Sequence, residues 1–418
     1  MIDPDSLKVW CGQAFVGFLW RNAIGQIGFN YDTEWLASKE SFALSVSLPL
    51  RSEDYAPEDG IAHRFFANLL PEGNARNQLA RDLKIGDNDF DLLKAIGGEC
   101  AGALSLLPDV YIPSSTAEYL PLDATELANL VKRKGQPATW KGHDRPRLSL
   151  AGAQNKCPVL LKDNTYWLPK SESPSSHILK FEVTDYRHLP AYETYTMQLA
   201  AAIGLEVADI HLRRVEKATF AEIVRYDRAL QPSGQITRYH QEDFCQALGY
   251  GYQKKYQEDG GASFAECMKL LADKTTTPAE DRDRLIRWQI FNVLAGNSDG
   301  HAKNLSLLYL PGGVIRLAPF YDLICTRAIE RIDENLAFSV GGERNPSLIT
   351  GAHWDSLASD CGLAKRYVNG LIKQTATKLL DSHQPVREAF EAQYGEYKAL
   401  ERIQKVIYTQ CNRILKAI

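Results

Sequence analysis

The sequence predicts an α+β fold in which a strand-rich lobe precedes a helical lobe, with a cleft between them. Two patterns carry this prediction. Short β-rich runs bounded by turn residues recur as far as Tyr226, and helical spacing takes over from His240 onward. A third observation marks the cleft: the helical part is interrupted by a polar loop, Asn297 to Asn304, followed by a hairpin signal.

The composition sets wide limits. At 418 residues the chain is long enough for two or three domains, and 44% apolar with 24% charged residues is ordinary for a soluble globular protein. A net charge of -4 excludes bulk attraction to nucleic acid or anionic membrane, though not a local basic patch. The eight cysteines form no C-x-x-C pair, so they read as reduced, buried thiols rather than a disulfide frame or zinc site. The N-terminal residues lack the basic and apolar regions of a signal peptide, and no apolar run is long enough to span a bilayer. A cytoplasmic protein is expected.

In chain order, residues 1–108 read as a small mixed domain. L-K-V-W, A-F-V-G-F-L-W, I-G-F-N-Y and F-A-L-S-V-S-L-P-L are the expected strands; A-H-R-F-F-A-N-L-L-P-E and N-A-R-N-Q-L-A-R-D-L are the expected helices. G-G-E-C-A-G, Gly97 to Gly102, has two glycines at phosphate-loop spacing but no Lys-Ser or Lys-Thr after them. It is expected to be a turn into the strand A-L-S-L-L. Residues 109–139 read as a linker with a short helix, A-T-E-L-A-N-L-V-K-R. Residues 140–237 form the strand-rich lobe. R-L-S-L-A-G-A-Q-N-K-C-P-V-L-L reads there as strand, tight turn, strand, and A-Y-E-T-Y-T-M-Q-L-A-A-A-I as a helix closed by Gly204. Residues 238–418 make the helical lobe.

The chemistry is read from the polar loop outward. Asp299 and Asn304, five residues apart, precede a hairpin turning at Pro311-Gly312-Gly313, which folds Asp322 back toward Asn304. This is the order of parts that phosphoryl transfer needs: Asp299 to take or orient a hydroxyl proton, Asn304 and Asp322 to hold Mg²⁺. Asp and Asn also crowd into loops for turn reasons, and Asp322 alone could cap a following helix. Lys303 is placed to neutralise the transferred group, while His301 reads first as a brace of the loop. Lys180, between apolar neighbours in H-I-L-K-F-E, needs an anion if it faces inward, with Glu193 of the next helix as its steadying carboxylate; an edge-strand lysine in solvent is the alternative. Ala151, Gly152, Ala153, Gln154 and Lys156, in S-L-A-G-A-Q-N-K, would form a small-residue turn over phosphates, although it is neither a Walker loop nor G-x-G-x-x-G.

Taken together, S-L-A-G-A-Q-N-K, H-I-L-K-F-E, V-R-Y-D-R, R-Y-H-Q-E-D-F-C-Q-A-L-G, N-S-D-G-H-A-K-N-L-S and A-P-F-Y-D-L, in this order from Ser149 to Asp322, resemble the HipA serine/threonine kinase toxins of HipBA toxin–antitoxin modules. The resemblance implies a bilobal, protein-kinase-like fold with an added N-terminal domain, and ATP and Mg²⁺ as cofactors. It implies Asp299 as catalytic base, Asn304 and Asp322 as metal ligands, and Lys180 as the phosphate-binding lysine. It also implies Val224, Arg225 and Tyr226 at the adenine-holding hinge, and Ser149 as an autophosphorylated serine that expels the phosphate turn. Many relatives carry an acidic residue where Val224 stands. The implied partners are a helix-turn-helix, HipB-like antitoxin, operator DNA mainly through that antitoxin, and a protein substrate, an aminoacyl-tRNA synthetase in the best-known members. The motif from His240 is diagnostic of the family but has no evident chemical role. A small-molecule phosphotransferase and a non-catalytic corepressor are the rival readings.

Overall fold

The structure, a computed structural model, describes residues 6–135, 147, 149–152, 154–183 and 185–418. The predicted α+β bilobal architecture is present. Residues 6–108 build an antiparallel sheet in the order Ile27–Tyr31, Ala14–Arg21, Ser6–Cys11, Leu104–Pro108. Alternation places Leu7 and Val9 on the buried face, where Phe29, Phe65, Phe66 and Phe90 close the core. Helices Ile61–Ala67, Gly73–Leu83 and Asp89–Ile96 supply that packing.

A six-stranded sheet follows, ordered Tyr119–Pro121, Thr165–Pro169, Lys156–Lys162, His177–Phe181, Ala218–Val224, Ile210–Val215. Its register places Lys156 directly opposite Lys180 on the neighbouring strand. The helix Leu189–Ala202 is buried nearly all round, because it packs on this sheet and on the helical lobe at once. That lobe is built on Pro278–Ala295, in which Pro278 starts the helix and Gly296, at φ 74°, ends it. Trp288, Ile290, Phe291 and Leu294 of this helix are inaccessible to solvent, each such side chain contributing roughly 1.5–3 kcal/mol by burial. Helices Phe264–Lys274, Gly351–Asp360, Lys365–Tyr394 and Leu400–Ala417 surround it.

Several sequence expectations are corrected. F-A-L-S-V-S-L-P-L forms no strand. Ser45 and Val46 spend their hydroxyl and amide on the Glu242 carboxylate instead, leaving only an isolated Ser45–Leu48 bridge. The helix Asp89–Ile96 was not foreseen. The linker contributes an edge strand at Tyr119–Pro121. The described residues before Lys156 form no strand in this sheet; Gly152 makes a lone parallel bridge with Pro71 of the N-terminal region. His240–Asp243 is a strand rather than the start of the helical lobe, because it pairs with Ser306–Leu310 to extend the predicted hairpin to three strands. No helix follows Asp322 within capping distance, so the helix-cap reading of that residue fails. Among the described residues, no helix is long and apolar enough to cross a membrane.

Candidate active site

A cavity of about 720 Å³ lies between the lobes, within the range of small-molecule sites. The sheet forms one wall with Lys156 and Lys180, and the polar loop and hairpin form the other with Asp299, Asn304 and Asp322. The loop gets its shape from its own backbone and short side chains. Asn297 Oδ1 accepts from the Asp299 amide at 3.1 Å, the His301 amide donates to the Asp299 carbonyl at 3.0 Å, and Asn304 Nδ2 donates to the same carbonyl at 2.9 Å. Asp322 sits in the left-handed region at φ 59°, a conformation that costs a non-glycine residue and recurs at functional sites.

Lys180 Nζ donates to Glu193 Oε1 at 2.6 Å and to Asp322 Oδ1 at 2.7 Å. Burial disfavours its charge, but the two carboxylates more than reverse this and hold the lysine protonated. For Asp322 burial opposes ionisation, and Lys180 and Lys156 again prevail, keeping its carboxyl well below the usual range. Glu193, which is less exposed, is pushed up by the same burial. Lys156 is the contrasting cation. Its Nζ donates to the Ala151 carbonyl at 2.6 Å, and burial followed by repulsion from Lys180 brings it down to about 8. Two like charges opposed across neighbouring strands are unfavourable unless an anion lies between them.

Gly152 is needed where it stands. Its φ is +110°, and a Cβ there would lie 2.8 Å from Lys156 Nζ. The predicted turn residues Ala151, Gly152 and Gln154 line the cavity, with Gln154 Nε2 donating to the Phe181 carbonyl at 2.8 Å. Ala153 lies outside the described residues. Ser149 does not line the cavity. It is inaccessible to solvent, and its hydroxyl donates to the Leu69 carbonyl at 2.8 Å.

Val224 and Tyr226 line the far end, the Tyr226 ring stacked on Tyr321 with centroids 5.8 Å apart. Arg225 also lines the cavity, but its guanidinium turns away into a buried cluster with Glu99, Asp227 and Ser175. Lys303 is likewise already engaged. Its ammonium donates to Asp243 at 2.8 Å and to the Asn68 side chain at 2.7 Å, so it ties the loop to the N-terminal region. His301 is buried, lies 3.9 Å from Asp299, and is kept neutral by that burial. Among the described residues its Nδ1 has no partner, a spare polar atom beside the cleft.

The sequence reading missed four residues. Tyr256 donates to Asp299 Oδ1 at 2.7 Å. Glu72, capping the helix Gly73–Leu83, accepts from Lys255 at 2.9 Å. Asp243 explains the motif from His240, since it both pairs with Lys303 and caps the helix Phe244–Leu248. That cap was legible: Asp243 followed three residues later by Gln246 is a capping-box spacing. Glu99 is the fourth. The donor set suits a magnesium nucleotide: two lysines for phosphates, and an Asn and an Asp for a metal that draws its remaining ligands from water and phosphate. Among the described residues, no cluster of three or more His, Cys, Asp or Glu stands ready to hold a metal.

The HipA-like C-terminal domain matches residues 148–382, and the HipA N-terminal domain matches residues 7–107. This chain belongs to the HipA family. It is 36% identical to the putative kinase Y4mE of Sinorhizobium fredii over 380 residues, 88% of this chain and 90% of that one. It is 29% identical to the serine/threonine-protein kinase toxin HipA of Shewanella oneidensis, covering 90% of this chain and 87% of the relative. The HipA chain of the solved Shewanella oneidensis complex of HipA, HipB and operator DNA superposes with a TM-score of 0.84 at 26% identity, over 98% of this chain and 97% of that one. HipA membership makes the chain a serine/threonine kinase, and most of the cleft described above falls within the matched C-terminal domain, with Asn68, Glu72 and Ala101 of the N-terminal domain also lining it.

Proposed function

We propose that this chain is an ATP- and Mg²⁺-dependent protein serine/threonine kinase that acts as the cytoplasmic toxin of a toxin–antitoxin pair and silences itself by phosphorylation at Ser149. The observation that carries the nucleotide reading is the opposition of Lys156 and Lys180 on the cleft wall, facing Asp322 and Asp299. When bound, MgATP supplies the phosphoryl group. Lys180 and Lys156 hold its phosphates, and Asn304 and Asp322 hold the metal. Asp299 orients the acceptor hydroxyl and takes its proton, with Asn304 fixing the Asp299 backbone and Tyr256 one carboxylate oxygen. Positioning and charge stabilisation carry most of such a reaction. Val224 and Tyr226 border the space for the base.

Ser149 fits the role of a switch. Its seat offers the hydroxyl a carbonyl acceptor and no access to water. A phosphate there would bring up to two negative charges and only acceptor oxygens against that carbonyl, so the turn must leave, taking Gly152 from the cleft. The named relatives support a HipB-type antitoxin as partner, with DNA reached mainly through it. The family resemblance supports a protein substrate such as an aminoacyl-tRNA synthetase.

The test is intact mass after incubation with ATP and Mg²⁺ for wild type, Asp299→Asn and Ser149→Ala. One added phosphate on wild type alone is expected. A wild type that never gains phosphate, expressed without its partner, refutes the Ser149 switch; failure to phosphorylate any protein in a cell extract refutes the toxin kinase.

A further inference from the structure

The segment Gly97 to Gly102 touches the cavity only at Ala101 among its described residues, and it does other work. Glu99 within it is fully buried, and both its backbone and its side chain reach out of the N-terminal region. Its amide donates to the Arg147 carbonyl at 2.8 Å, and its carbonyl accepts from the Ser149 amide at 2.9 Å, so the entry to the phosphate turn is paired to it. Its carboxylate accepts from Arg225 at 2.8 Å, from Arg228 at 2.7 Å, and from the amide of Ser175, just before the Lys180 strand, at 3.2 Å. The same arginines donate to the Cys100 carbonyl, and the Gly102 amide donates to Asp227 at 2.8 Å. Gly98 lets the segments meet this closely: a Cβ there would lie 2.5 Å from the Ser171 carbonyl oxygen and 2.8 Å from Arg147 Cβ. Three pieces of the cleft converge on one residue from the N-terminal domain: the turn on its backbone, and the hinge and the approach to the lysine strand on its side chain.

We infer that Glu99 is a positioning residue of the nucleotide site, through which the N-terminal domain holds the phosphate turn and the hinge in register. The inference rests on the reading of the cleft as an ATP site. It makes the N-terminal domain part of the machinery that binds nucleotide: whatever shifts that domain shifts the turn and the hinge together.

The experiment measures affinity for a non-hydrolysable ATP analogue with Mg²⁺ in the full chain. Glu99→Gln leaves two arginines short of a carboxylate and endangers folding, so Glu99→Gln with Arg228→Met, which keeps the cluster neutral, is measured beside it. Val16→Ala, which loosens the N-terminal core without touching the turn, is the control for stability alone. Binding about tenfold weaker in the double variant, with Val16→Ala at wild-type affinity, is the expected result. A double variant within twofold of wild type, or an equal loss in Val16→Ala, overturns the positioning role. A wild type that does not bind the analogue overturns the nucleotide reading and this inference with it, whereas normal wild-type binding with an unaffected double variant removes this inference alone.

Discussion

Lys180 and Asp322 meet at 2.7 Å across the cleft, one from the middle of a strand and the other from the foot of a hairpin 142 residues later. The lysine also serves Glu193, whose carboxylate is almost without solvent. Removing the lysine therefore strands a buried anion and, on the proposed reading of the cleft, removes a phosphate contact. Lys180→Met is expected to cost about 3–5 kcal/mol in chemical denaturation. Adding Glu193→Leu should return most of that stability while phosphoryl transfer stays at least about a hundredfold down. Recovery of activity in the double variant would sink the assignment.

If the cleft is the nucleotide site proposed above, Lys156 gives binding a pH dependence. With its ammonium brought down to about 8, the lysine loses its charge as the pH rises through that value. Affinity for MgATP should hold below pH 8 and fall by up to about tenfold per unit above it. Calorimetric titration from pH 6.5 to 9.5 checks this, and Lys156→Met should flatten the profile. The sign for stability is opposite: the unfolded lysine keeps its proton to about 10.5, so folding gains between pH 8 and 10.5.

Glu242 is a buried carboxyl raised to about 7, chiefly by burial, with Asp243 adding repulsion and donors from Ser45, Val46 and Tyr309 opposing the shift. Between pH 4.5 and 7 the folded chain keeps a proton that the unfolded chain releases, so stability falls across that window and the loss is complete above it. Glu242→Gln should stabilise the protein by roughly 1–3 kcal/mol at pH 8 and by nothing measurable at pH 4. An equal effect at both pH values in urea denaturation contradicts this account.

Tyr256 fixes Asp299 from a segment with no motif of its own. Tyr256→Phe should lower kcat by about tenfold and leave nucleotide affinity unchanged, since the phenol touches Asp299, the proposed base, and neither Lys156 nor Lys180. Asp299→Asn should lower kcat by a thousandfold or more with the fold intact, the side chain being half exposed. Unchanged turnover in Tyr256→Phe removes the tyrosine from the site.

What the sequence disclosed and what it hid divide along physical lines. The strand with Lys180, the loop with Asp299 and the hairpin before Asp322 were legible because periodicity and turn chemistry are local. The strand at His240–Asp243 was not, because its partner lies more than sixty residues away and its residues carry no alternation of their own. The side-chain partners of Arg225 were hidden for a related reason. It lines the cleft with Val224 and Tyr226, but its side chain follows Glu99, 126 residues upstream. The role of Lys303 was hidden in the same way, since a lysine inside a catalytic-looking loop gives no sign that Asn68 and Asp243 already hold it.

The Lys303–Asn68 contact also sets an order in time. The two residues are 235 positions apart, so at roughly 5–20 residues per second a growing chain exposes Asn68 about 10–50 s before Lys303 arrives to meet it. Asp299 and Asp322 emerge in the same late interval, and Gly152, Glu72 and Asn68 await them. No shorter nascent chain holds a complete cleft. The cleft therefore stays incomplete until about three quarters of the chain has been made, which sets the earliest moment at which the proposed activity could begin.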